Sequence, residues 1–437
     1  DWSSDVCSSD LKMMKTKIKG GPVVAALLCV LVSLLALMIL GANATQISAM
    51  LEADSLMNQG YVNAALNKVS QASEANAALN KRDFVSNLSK TLGNQTIFTL
   101  GYSETVMTAR LYARGYSEID AGGYLVNNLG EDAVKSDARL LGVRKYVKAY
   151  NSYNTMQEKA YSILQNYINS DAKDIPYDEL IEKLEALRGQ EGVDDKYIDY
   201  YKCFVAMQAD KSIDVQLGFL LKMEKEYPEG LMIYGPTITD YYYRSGDYAK
   251  AIEYADKMIA KNRNYYSAYE QKVTALLAKG DVDGATKVCD ALDTAENAAG
   301  VASGDYTSYS LRANLYWYTG KYDEAIKVCE EGLEASGGDS DIYRNEAIAY
   351  MLKGDYKKAN ECGKAAYQFS MNYGDLTLDI LNTAALAAGL AKDDETYKSM
   401  QDYLKTYNYE VSSVVTDCLA GKKTVEQIGR ASCRERV

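Results

Sequence analysis

A recurring glycine constrains this chain more than any other feature. Gly246, Gly280, Gly320 and Gly354 stand 34, 40 and 34 residues apart. Around each lies the same pattern: an aromatic-rich stretch, the glycine, then a stretch carrying alanine. A unit of about 34 residues buries little of its apolar face alone and must stack on its neighbours, so the period points to a solenoid of antiparallel helix pairs. Such an object presents a long surface suited to gripping another molecule.

Alignment on the glycine gives columns with physical causes. Two residues later come Tyr248, Val282, Tyr322 and Tyr356, expected to cover the hairpin. Five residues later comes alanine every time, Ala251, Ala285, Ala325 and Ala359, where the second helix is expected to cross the first too closely for a larger side chain. Four residues before stand Tyr242, Leu276, Tyr316 and Tyr350. The glycine lets the chain reverse between helices. The strings GDYAKA, GDVDGA, GKYDEA and GDYKKA resemble the tetratricopeptide repeat, in which GDY leads into an alanine on the second helix. The resemblance covers 231–370, as four repeats, and implies an all-α, right-handed superhelical solenoid of antiparallel helix pairs. The closing proline of the consensus is absent. The column Ala255, Cys289, Cys329 and Gly363 is smaller than the usual aromatic.

The flanks carry fainter signals. Residues 45–230 read as helical, with degenerate pairs. Gly60-Tyr61 precedes Ala64, Ala65 and Val69, and Gly115-Tyr116 precedes Ala121 and Tyr124; each reads as a worn turn. Apolar spacing predicts one long amphipathic helix over 131–168, a break before Pro176, a helix over 178–187, and a pair over 196–209 and 213–227. Ser212, 34 residues before Gly246, falls in the turn of that pair. Small and polar residues at 293–305 predict a loop between repeats. Residues 371–427 predict a degenerate pair, 376–390 and 393–407, with a cap at 411–427.

Near the N-terminus, Lys12, Lys15, Lys17 and Lys19 precede an uncharged run of 18 residues at 23–40. As a helix that run is about 27 Å long, close to a bilayer core. The bias of lysine toward the cytoplasmic side predicts a cytoplasmic basic segment at 12–22, a single-pass signal anchor at 23–42, and an extracytoplasmic bulk. Ala42-Asn43-Ala44 also fits a cleavage site, which would release a secreted protein after Ala44. The two ends, 1–11 and 428–437, resemble translated sequencing-adapter DNA and are left out of the fold.

Several function classes are excluded. The chain has no histidine, so Ser-His-Asp and Cys-His catalysis and His-ligated metals are ruled out. A net charge of −12 disfavours phosphate backbones, so no nucleic-acid partner is expected. Cys203, Cys289, Cys329, Cys362 and Cys418 are widely spaced and form no CxxC, which predicts buried thiols, not disulfides. Gly421-Lys422-Lys423 lacks the rest of a phosphate loop. Asp281-Val282-Asp283-Gly284 has its glycine too early for a calcium loop. No cofactor is expected.

By the family resemblance, first helices build the concave face. The position three before each turn glycine then faces inward: Tyr243, Leu277, Trp317 and Met351. The position six before gives Asp240, Thr274, Asn314 and Ile348, and ten before gives Pro236, Glu270, Ser310 and Arg344. A peptide-binding groove is expected at Tyr243, Asn314, Trp317, Arg344 and Met351, against the alternative that these residues pack between repeats. The expected function is a non-catalytic scaffold for a protein or peptide, tethered to the cytoplasmic membrane and active in the cell envelope. The alternative is an extracytoplasmic enzyme or small-ligand-binding solenoid with a His-free site.

Overall fold

A computed structural model describes residues 48–80, 98–168, 170, 172–299, 306–406 and 409–425, with Val30 and Ser33. Those two residues apart, the expected anchor lies outside this set, as do the basic segment and both adapter-like ends. Among the described residues no helix is long and apolar enough to cross a membrane. Every regular element described is a helix. After a helical stretch at 48–58 come α1 (Val62–Asn80), α2 (Phe98–Gly115), α3 (Glu118–Leu129), α4 (Glu131–Ser136), α5 (Arg144–Leu164), α6 (Tyr177–Glu185), α7 (Ile198–Gln208) and α8 (Ile213–Glu226). The glycine-marked stretch holds α9 (Leu231–Arg244), α10 (Tyr248–Lys261), α11 (Tyr266–Lys279), α12 (Val282–Ala299), α13 (Thr307–Tyr318), α14 (Tyr322–Ser336), α15 (Ser340–Lys353) and α16 (Tyr356–Tyr373). The chain goes on through α17 (Leu378–Leu390), α18 (Asp394–Thr406) and α19 (Ser413–Leu419).

The four turns share one hydrogen-bond pattern. Gly246 has φ +83°, Gly280 +85°, Gly320 +79° and Gly354 +84°. In each, the glycine N–H donates to the carbonyl three residues back, and the next N–H to the carbonyl five back, as in Asp247 to Tyr242 (2.9 Å) and Asp281 to Leu276 (2.8 Å). This is the Schellman closure, which satisfies carbonyls orphaned at a helix end. Asp247, Asp281 and Asp355 then cap the following helix, their carboxylates accepting the N–H of Lys250, Gly284 and Lys358. One residue thus ends one helix and starts the next. Lys321 stands at that place in the third hairpin and makes no side-chain cap.

The same closure occurs where no glycine marks it. Among the described residues, Asp210 (φ +49°) and Lys392 (φ +59°) are the non-glycine residues with positive φ. Lys211 donates to Ala206 (2.9 Å), and Asp393 to Ala388 (2.9 Å). The hairpins α7/α8 and α17/α18 therefore continue the series on both sides. The upstream turn centres on Asp210, two residues before Ser212. Gly60 (φ +87°) closes the same way, with Tyr61 donating to Leu56 (2.9 Å), and Ala65 behind it is fully buried. Gly115 does not: it is the last residue of α2, and a Cβ there would lie 2.2 Å from Val62 Cγ1. It is small because α1 crosses there.

Ala251, Ala285, Ala325 and Ala359 are all 0% exposed, as the crossing argument requires. Cys289 and Cys329 are equally enclosed, and the five cysteines at 203, 289, 329, 362 and 418 are free. Two expectations are corrected. The loop predicted from 293 is helical through Ala299, because Ala295 is buried (1% exposed), Asp293 pairs with Arg312, and Glu296 accepts the Ser308 N–H (2.7 Å). Over 293–299 the insertion lengthens α12, while 300–305 lie outside the described residues. The helix predicted over 131–168 is instead α4, a 3-10 turn at Ala138–Val143 and α5. Leu140 is buried and Leu141 is 62% exposed, so the apolar stripe changes direction between them.

The N-terminal hairpin docks onto the repeats some 200 residues later in the chain. Arg263 N–H donates to the Gly60 carbonyl (2.8 Å), and Asn63 Nδ2 donates to the Asn264 carbonyl (3.1 Å). The buried Asn264 side chain accepts from Ala64 N (3.3 Å) and donates to the Ala295 carbonyl in the lengthened α12 (2.8 Å).

Candidate partner-binding surface

The residues expected to line an open groove are enclosed. Tyr243 and Asn314 are 5% exposed, Trp317 and Met351 3%, and Arg344 2%. Trp317 Nε1 donates to Asn314 Oδ1 (3.1 Å), one helical turn away on α13. Trp317 and Met351 share an apolar core with Leu386 of α17 and Val415 of α19, whereas Tyr243 belongs to a separate core with Tyr227 and Tyr241. Arg344 Nη2 reaches Asp379 Oδ2 (3.4 Å) on α17. The structure thus brings Asn314, Trp317 and Met351 together and sets Tyr243 apart. The expected solvent-facing Arg344 is corrected: α17 packs on α15 and supplies the carboxylate that covers it.

Buried charge is concentrated elsewhere, at a place the sequence did not flag. Asp199 of α7, its side chain 1% exposed, faces Lys222 (3.0 Å), Arg188 (3.5 Å) and Lys202 (3.9 Å). Lys202 and Arg188 also pair with Glu185, and Arg188 and Lys222 approach Glu226. Arg188, with Lys202, holds the Glu185 carboxyl down to about 2. Three cations face three carboxylates, so the cluster is balanced and joins α6, α7 and α8 as a structural clasp. Spacing gives only its local pairs, Glu185 with Arg188, Asp199 with Lys202 and Lys222 with Glu226; the contacts that join the three pairs run between elements.

Asp240, in the inward column of α9, is 5% exposed, and its Oδ1 has no hydrogen-bond donor. Burial raises its carboxyl to about 6 against the pull of Arg244 at 3.6 Å. Burial also raises Glu346, and drives the thiols of Cys203 to about 11, Cys289 to about 12 and Cys329 and Cys362 well above the ordinary range. At neutral pH these thiols are protonated and poor nucleophiles. Among the described residues no group of three or more Cys, Asp or Glu is placed to hold a metal ion.

Surface relief is found at the turns. An open cleft of about 810 Å³ lies between the Gly354 turn and the Lys392 turn, lined by residues of both, including Tyr356, Lys357, Asn360 and Leu390. Its lining mixes apolar and polar surface and includes three lysines, Lys353, Lys357 and Lys392, and it joins the last glycine-marked hairpin to the hairpin that follows.

The sequence model of the family described as Tetratricopeptide repeat matches residues 239–300 and 310–374. No curated protein matches the chain by sequence. Among solved structures, a tetratricopeptide repeat protein from Parabacteroides merdae ATCC 43184 is similar at 14% identity, over 63% of this chain and 99% of that one, with a TM-score of 0.41. Yeast Tom70 is similar at 12% identity, over 90% of this chain and 89% of its own, with a TM-score of 0.39. The repeats matched by sequence are those whose Schellman turns, unvarying alanines and stacked helix pairs are described above, and residues 239–300 and 310–374 are thereby identified as tetratricopeptide repeats.

Proposed function

We propose that this protein is a non-catalytic scaffold that binds a protein or peptide partner along its helical repeats. The observation that carries the reading is the series of like hairpins, turning at Asp210, Gly246, Gly280, Gly320, Gly354 and Lys392, whose helices stack on their neighbours. In this reading Tyr243, Asn314, Trp317, Arg344 and Met351 shape the wall from beneath, and more exposed neighbours make the contacts. Residues 23–42, preceded by Lys12, Lys15, Lys17 and Lys19, tether the solenoid to the cytoplasmic membrane, N-terminus inside, for a role in the cell envelope.

Chemical cross-linking in intact cells, followed by purification of the full chain in detergent, tests the scaffold. A discrete partner at fixed stoichiometry, lost when 239–374 is replaced by unrelated helical repeats, is expected. Turnover of a small molecule by the purified chain, with no such partner, would overturn the reading. Protease added to spheroplasts should digest the solenoid; full protection would reverse the proposed orientation.

A further inference from the structure

We infer that the cleft between the Gly354 and Lys392 turns is a docking site for an acidic peptide segment carrying an apolar residue; this rests on the protein-binding reading. The first argument is charge. Five ionic side chains line the cleft, and three are engaged inside the fold. Lys353 pairs with Asp323, and the Asp355 carboxylate caps α16. Asp393 accepts from Lys364 (2.6 Å), Asn360 (2.8 Å) and Thr396 N (3.1 Å), which hold its carboxyl far below the usual carboxylate range. Lys357 and Lys392 are exposed and make no ion pair among the described residues. On a chain of net charge −12, two uncommitted ammonium groups at one cleft form a local site for carboxylates.

The second argument is an orphan acceptor. Asn360 lines the cleft, is 8% exposed, and its Oδ1 has no donor. A buried amide oxygen left unsatisfied is costly, and a peptide N–H seated in the cleft offers the missing donor once the oxygen shifts toward it. The third is the backbone. Lys392 holds φ +59° where Gly246, Gly280, Gly320 and Gly354 avoid strain, so a long cationic side chain is kept where glycine is the relaxed choice. Tyr356, 38% exposed, and Leu390 add an apolar wall. Because the cleft is open and large, it fits a chain segment better than an enclosed small molecule.

The test is an array of ten-residue peptides graded in glutamate content around a central leucine, probed with the full chain at low and high salt. Signal should rise with glutamate content and fall with salt. Lys357→Glu with Lys392→Glu should weaken binding at least about tenfold. Reversal of two exposed lysines outside the cleft, Lys148→Glu with Lys327→Glu, should leave it within about twofold. Lys392→Gly relaxes the turn, so it should raise the melting temperature while weakening binding; that pairing cannot come from misfolding. If peptides bind but the cleft reversal has no effect, the site is wrong and the protein-binding reading stands. If no peptide binds, the cleft proposal falls, and the cross-linking experiment decides the broader reading. If the same lysines govern binding to phosphatidylglycerol vesicles and no peptide binds, the occupant is a membrane surface and this proposal is overturned.

Discussion

The hairpins at Gly246, Gly280, Gly320 and Gly354 and those at Asp210 and Lys392 make the same turn from different residues. In both sets the reversal is closed by the same pair of backbone hydrogen bonds. The flanking turns lack the residue that relieves left-handed strain, a cost of roughly 1–2 kcal/mol for a side chain with a Cβ. They form anyway because the helices on either side are held by packing: Leu220 by its core, and Ala384 to Ala388 between α16 and α18. Glycine lowers the cost of a turn that tertiary contacts already dictate. The alanine column differs too. The N-cap residue of α8 is Ser212, one residue later after its turn than Asp247 is, so the place of Ala251 four residues past the cap is taken by Gln216, 7% exposed, a larger side chain than the alanine of the central crossings.

The largest expected effect bears on the centre of the series. Trp317→Ala should cost about 3–5 kcal/mol, as truncation of a buried tryptophan does. Arg344→Ala should cost roughly 1.5–3 kcal/mol through its lost charge-assisted contact with Asp379. Denaturant melts read both, and a silent Arg344→Ala would return that residue to an open groove.

Next is a titration that sets one hairpin apart. Asp240 shares its column with Thr274, Asn314 and Ile348, none of which ionises. Its folded-state pKa, about 6, lies above the ordinary 3.8, so folding binds a proton. The stabilisation is fully present below about pH 4 and is lost as pH rises through about 6, by at most about 3 kcal/mol. Asp240→Asn should flatten that part of the stability-pH profile; an unchanged slope would show that the carboxylate is well solvated.

The crossing comparison is sharpened by a pair of substitutions. Ala285→Leu should cost about 1–3 kcal/mol or more by overpacking, whereas Val215→Ala should stay within about 0.5 kcal/mol. A silent Ala285→Leu would mean that the central hairpins do not cross as closely as the buried alanine column requires.

The smallest effects carry opposite signs. Gly280→Ala should destabilise by about 1 kcal/mol through backbone strain alone, since a Cβ there meets nothing within 4 Å. Lys392→Gly and Asp210→Gly should stabilise by a similar amount, about 1 kcal/mol, or less. Lys321→Asp, which restores the missing cap, should add about 0.5–1 kcal/mol. If Lys392→Gly destabilises, the lysine side chain is itself part of the fold.

Much of this was legible in the residues alone. The glycine period, the buried alanines and the free cysteines follow from local rules: a turn needs positive φ, a close crossing needs a small side chain, and scattered cysteines do not pair. The recurrence of the post-turn aspartate as Asp393 was a further signal, obscured because Lys392 replaces the glycine before it. The candidate site was less legible, because periodicity places a residue on a helix face but does not say what covers that face. Arg344 looked inward to solvent until α17 covered it. The lysines of the cleft come from turns 38 residues apart and meet only because two hairpins stack.

Sequence by itself determined that the chain is helical, that its repeats stack, and where most hairpins reverse, since those properties depend on backbone conformation and side-chain size within a few residues. The tertiary structure alone decided three things: that the 293 insertion lengthens α12, that Asn63 and Asn264 tie the N-terminal hairpin to that helix, and that Asp199 meets Lys222 of α8 and Arg188 from the turn after α6. Each depends on which surfaces come within about 4 Å of one another, and pairing across 200 residues is set by the burial of whole faces, to which no local pattern is sensitive.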